Sequence, residues 1–117
     1  MIPTQSEIVL RLAELSRMLD KATQDIADLD EAAVKAKQAH EVASARAYLA
    51  ADGAVDTRKN IAVVTVAEFC LTRELAEAQH RACRERIRTI GVQIDVGRTM
   101  SAATRNQFAA EATGQWT

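Results

Sequence analysis

The sequence predicts an all-α fold: a long antiparallel helical hairpin of coiled-coil type with a short C-terminal helix, assembled as an oligomeric bundle. Three observations carry this. Between Ile8 and Ala50, apolar or small residues recur with unbroken 4-3 spacing at Ile8, Leu12, Leu15, Leu19, Ala22, Ile26, Leu29, Ala33, Ala36, His40, Ala43, Ala47 and Ala50. A 3.5-residue repeat keeps one seam of a helix turned towards a partner. Helix breakers are scarce, with one proline and four glycines in 117 residues. Apolar residues make up 48% of the chain and aromatic residues only 3%, so the core is a thin seam between helices and not a globular centre.

The first helix begins at a capping box. Thr4 and Glu7 stand in T-x-x-E spacing, in which each side chain satisfies an orphan amide, and Pro3 restricts the entering backbone. At 1.5 Å per residue the seam is roughly 65 Å long. Asp52-Gly53 ends the helix, because glycine accepts the left-handed conformation that follows a helix C-terminus. Asp56 or Thr57 is placed to cap a second helix. That helix is expected to weaken at Gly91 and end at Gly97. Thr99 or Ser101 then caps a short third helix to about Ala112. The expected division is a hairpin over 1–98 and a C-terminal helix and tail over 99–117.

The short link at Asp52-Gly53 makes the two long helices antiparallel neighbours. Pairing residues whose numbers sum to about 105 sets large side chains against small ones near the turn. Ala36 then meets Phe69, Leu29 meets Ala76 and Ala22 meets Cys83. Towards the open end, Leu19 meets Ile87, Leu15 meets Ile90 and Leu12 meets Ile94.

The second helix carries two apolar stripes. One holds Ala62, Val66, Phe69, Ala76, His80, Cys83, Ile87, Ile90 and Ile94; Ile61, Val64, Leu71, Leu75, Ala78 and Ala82 lie almost opposite. A helix apolar on two faces must be covered twice. The first helix covers one face, and the second set is the expected oligomer interface.

No pattern for catalysis stands out. There is no G-x-S-x-G, no glycine-rich phosphate loop and no Cys/His nucleophile pair, so a non-enzymatic protein without cofactor is expected. His40 and His80 lie on the two seams outside any H-x-x-x-H or E-x-x-H pattern and read as packed seam histidines. Cys70 and Cys83 match no zinc spacing, and thirteen positions on one helix separate them by about 20 Å, too far for an intrachain disulfide. Reduced thiols fit a cytoplasmic setting. Asp25, Asp28, Asp30 and Glu31 lack the glycine turn of a calcium loop and read as a solvated face.

Arg81, Arg84 and Arg88 share a face and are the residues on which nucleic-acid binding would rest. The register lays them near Asp20, Asp25 and Asp28, so interhelical pairing is the competing expectation. The formal charge of −1 and the absence of interleaved aromatics weigh against nucleic acid. No signal-peptide pattern and no membrane-spanning apolar run is present in the sequence. In the tail, Phe108 and Trp116 are the expected anchors for a protein partner.

Two blocks carry a resemblance. Ala47-Tyr48-Leu49-Ala50-Ala51-Asp52-Gly53-Ala54-Val55 leads into Arg58-Lys59, and Ile94-Asp95-Val96-Gly97-Arg98-Thr99-Met100 follows the second helix. Together they resemble small helical-hairpin proteins of tailed phages that infect Gram-positive bacteria. The resemblance covers most of the chain and implies a phage accessory protein in the bacterial host cytoplasm. It transfers no functional residue. The turn Ala51-Asp52-Gly53-Ala54 lacks the Trp-x-Gly of the secreted helical-hairpin proteins named for that motif, which sets that family aside.

Overall fold

Three helices make up the computed structural model, which describes residues 2–112: α1 (Gln5–Ala50), α2 (Val55–Thr65) and α3 (Ala67–Ala112). The fold is all-α, and α1 and α3 run antiparallel as a helical hairpin. Trp116 lies outside the described residues.

The capping box forms as expected. The Thr4 amide donates to Glu7 Oε2 at 3.1 Å, and the Glu7 amide donates to Thr4 Oγ1 at 3.2 Å. Of the thirteen seam positions in α1, all are buried or half-buried except Ala50, where the helix ends. Gly53 has φ +109°, a conformation an L side chain rarely adopts. Gly53→Ala should therefore cost about 1–2 kcal/mol in a denaturation experiment.

Two compact units make up the chain, and each is an antiparallel helix pair. The first comprises the described parts of Met1–Gln24 and Glu85–Thr117. Its core joins Leu15, Ile90 and Ile94, with Leu12 and Leu19 packed against them, so the expected approach of Leu15 to Ile90 is present. Gln5 Nε2 donates to Ser101 Oγ at 2.9 Å across the pair.

The second unit is Asp25–Arg84 and contains the turn. Arg58 fastens the turn to α1. Its Nη2 and Nε donate to the Tyr48 carbonyl at 3.0 and 3.3 Å, and its guanidinium lies 4.4 Å from the Tyr48 ring centroid. Tyr48 is in the last turn of α1, where its carbonyl accepts only a long 3.3 Å bond from the Ala51 amide, so the Arg58 side chain adds both a helix cap and a cation–π contact. Arg58→Ala should lower stability by about 1–2 kcal/mol, and Arg58→Lys should recover only part of it, because an ammonium lacks the planar fork. Paired chemical denaturation curves test this.

Several expectations are corrected. The second helix is divided at Val66, where ψ turns to 17°. Thr65 Oγ1 donates back to the Ile61 carbonyl at 2.7 Å, a bond that bends helices, within the β-branched run Val63-Val64-Thr65-Val66. The cap of α2 is Ala54 in extended conformation; Asp56 and Thr57 lie inside the helix, with Asp56 in its first turn. The helix does not end at Gly97, and no separate C-terminal helix begins at Thr99 or Ser101. Instead, α3 runs through Gly91, Gly97, Thr99 and Ser101 to Ala112.

Packing explains the continuity at Gly97. A Cβ there would stand 2.6 Å from Leu12 Cδ2, so the bare backbone is what lets Leu12 approach. This contact offsets a propensity cost of about 1 kcal/mol. At Gly91 nothing lies within 4 Å of an added Cβ. Gly91→Ala should thus stabilise the chain by about 0.5–1 kcal/mol. Gly97→Ala should gain less, because Leu12 must move. Comparative thermal melts check both signs.

The register follows the expected sum of 105 in one unit and departs from it in the other. It is kept near the open end, where Gln5 bonds Ser101 and Leu15 shares a cluster with Ile90, but in the second unit Asp30 pairs with His80 and His40 with Arg73, about one to two helical turns beyond it. Phe69, expected against Ala36 in the seam, is 48% exposed. Arg73, at the heptad position the apolar pattern skips, is half-buried and takes a place in the seam.

Candidate interaction surfaces

Groups able to do chemistry are tied up in packing. Arg73 Nε donates to Glu77 Oε1 at 2.8 Å, and its Nη1 lies 3.2 Å from His40 Nδ1. Arginine only donates, so His40 Nδ1 accepts and the ring proton sits on Nε2. The Arg73 guanidinium holds the Glu77 carboxyl below the usual carboxylate range. His80 Nε2 stands 3.5 Å from Asp30 Oδ1. Both histidines are thus seam residues with a side-chain partner across the pair. Among the described residues, no group of three or more His, Cys, Asp or Glu could hold a metal ion.

Both cysteines are free thiols. Cys83 is fully buried. At Cys70, burial first and then the neighbouring Glu74 carboxylate push the thiol pKa up, which disfavours the nucleophilic thiolate.

The arginines expected to face α1 behave otherwise. Arg88 is bonded to Glu85 on its own helix at 2.9 and 3.1 Å. Arg81 and Arg84 are exposed and make no ion pair among the described residues. Short i,i+3 and i,i+4 partners on one helix need no alignment between helices and compete well with interhelical pairs. The expected pairing of these arginines with Asp20, Asp25 and Asp28 is accordingly not what Arg88 does.

Apolar surface is the prominent feature. Ile61, Val64, Leu71 and Leu75 are 42%, 76%, 56% and 55% exposed, and Ala78 and Ala82 are exposed beside them. In the heptad frame set by the buried positions of α3, Leu71, Leu75, Ala78 and Ala82 repeat at 4-3-4 spacing opposite the seam. Farther along the same helix Val92 and Val96 continue this spacing and are 57% and 53% exposed. The corresponding outer positions of α1 are Glu14, Arg17, Lys21, Gln24, Asp28, Glu31, Lys35 and Gln38, all exposed. The same outer series of α1 is apolar only at its ends, at Leu10, Val42, Ala45 and Leu49, whereas α3 carries apolar residues on its back from Leu71 to Ala82.

A groove of about 850 Å³ also runs along the second unit, between Val34, Ala39, Val42 and Ala43 of α1 and Val66 and Phe69 across from them. Phe69 lies here and not in the seam. In the first unit, Pro3, Ile8, Leu12, Val96 and Met100 line a smaller groove of about 360 Å³. Phe108, one of the two expected anchors, is 71% exposed near the end of α3. No described helix is long and apolar enough to cross a membrane.

The 4-3-4 spacing of the α3 back was legible in the sequence, while the Phe69 groove was not. It joins seam positions such as Ala43 and Val66 to flanking ones such as Val34 and Val42, and these become neighbours only once the helices are paired.

Compared with known proteins, the chain matches no family model, no curated protein and no solved structure.

Proposed function

We propose that this chain is a non-enzymatic helical protein–protein interaction module that acts through self-association and through binding another protein. The observation that carries the reading is the exposed apolar back of α3 around Leu71 and Leu75, set against the polar middle of the back of α1 from Glu14 to Gln38. Leaving such a stripe in water forgoes about 25 cal/mol per Å² of apolar burial, which a covering helix recovers. A place among phage accessory proteins of the bacterial cytoplasm rests on the two blocks around Asp52-Gly53 and Gly97. Sedimentation velocity over a range of concentrations tests the module reading: a mass that rises above the 12.8 kDa of one chain supports it, and a monomer at every concentration removes self-association from it.

One observation favours a second reading, in which the chain is a nucleic-acid-associated accessory protein in phage recombination or replication. Arg81 and Arg84 are exposed on one helix and make no ion pair among the described residues. This reading requires retention on double-stranded DNA that falls with salt, and a weaker salt slope in Arg81→Ala and Arg84→Ala. The module reading requires no retention at physiological salt.

A further inference from the structure

We propose that the occupant of the exposed back of α3 is a second copy of the same helix, lying antiparallel, with its two-fold axis near Ala76 and Glu77. This rests on the self-association reading above and adds its partner, orientation and register. The stripe is written to match its own reverse. In the antiparallel alignment, Leu71 falls opposite Ala82 of the second copy and Leu75 opposite Ala78, large against small in every layer. A parallel alignment sets Leu on Leu and Ala on Ala, which crowds two layers and leaves two thin.

Charge points the same way. Positions flanking the stripe hold Glu74 and Arg81 on one side and Gln79 and Arg86 on the other. The antiparallel register pairs Glu74 with Arg81 of the second copy, and the symmetry makes this pair twice. Arg81 is exposed and makes no ion pair among the described residues; its charge acts on Glu77, which is already bonded to Arg73. The parallel register instead sets Arg81 against Arg86, a repulsion that also occurs twice. The stripe is closed by Glu68 and Glu85, which the antiparallel register brings towards each other. Arg88, bonded to Glu85 at 2.9 Å, offsets that repulsion.

The test uses the full chain in sedimentation equilibrium at micromolar concentration, with far-UV circular dichroism to confirm helicity. The unmodified chain should be a dimer or a multiple of one. Leu75→Glu should give a helical monomer, since Leu75 is 55% exposed on the back of α3. Glu74→Arg and Arg81→Glu should each weaken association about tenfold, and the double swap should restore it. Three results overturn the proposal. A monomeric unmodified chain overturns it together with the self-association reading. An oligomer indifferent to Leu75→Glu overturns it and leaves that reading standing, with another face in contact. Failure of the double swap to restore an association that each single change weakens overturns the antiparallel register.

Discussion

Leu15→Ala should unfold the chain at markedly lower denaturant, with a loss of about 2–5 kcal/mol. Leu15 is 2% exposed and belongs to the cluster with Ile90 and Ile94. Truncation removes its transfer energy and leaves a cavity that Leu12 and Leu19 can fill only in part. With a core this thin, one side chain is a large share of the whole. Leu29→Ala, on the same seam but only half-buried, should cost less. Equal losses at the two sites would mean that burial along the seam is more even than the structure has it. A near-neutral Leu15→Ala would remove the cluster from any account of stability.

Ala22→Leu should have the next largest effect, a destabilisation of about 1–3 kcal/mol from overpacking. Ala22 is 1% exposed, so added methylenes have no solvent to turn into. Ala13→Leu is the control: Ala13 is exposed on the same helix, and leucine is nearly as good a helix former as alanine. It should stay within about 0.5 kcal/mol of the unmodified chain. Stability measured by chemical denaturation should separate the two sites clearly. If both leucines are tolerated alike, Ala22 is not held at close approach.

Helix identity and pairing were legible because they follow from local and periodic chemistry. A 4-3 repeat needs a partner along one seam, and the Thr4/Glu7 box and Gly53 act on backbone groups within a turn of themselves. The doubled apolar character of the second helix was legible for the same reason, since Leu71, Leu75, Ala78 and Ala82 are related to the seam by spacing alone. None of this depended on knowing which residue lies across from which.

The failures occurred where a contact between elements set the outcome. Gly97 reads as a stop signal in isolation, but within the pair it is the gap that Leu12 fills, and packing outweighs a propensity cost of about 1 kcal/mol. Heptad spacing says nothing about sliding one helix by a turn, because every slide of that size keeps apolar faces in register. The departure in the second unit is read only from Asp30 at His80 and His40 at Arg73. That alignment also moved Phe69 from the seam to a groove wall and drew Arg73 into the seam, held by His40 and Glu77. The sequence by itself determined the helical character of the chain, the Thr4/Glu7 cap of α1, the turn at Gly53 and the apolar faces, because these are properties of single helices in water. The tertiary structure alone decided the register, the continuity through Gly97 and the partners of Arg73 and Arg88, because each is a competition between neighbours that exists only after the helices have met.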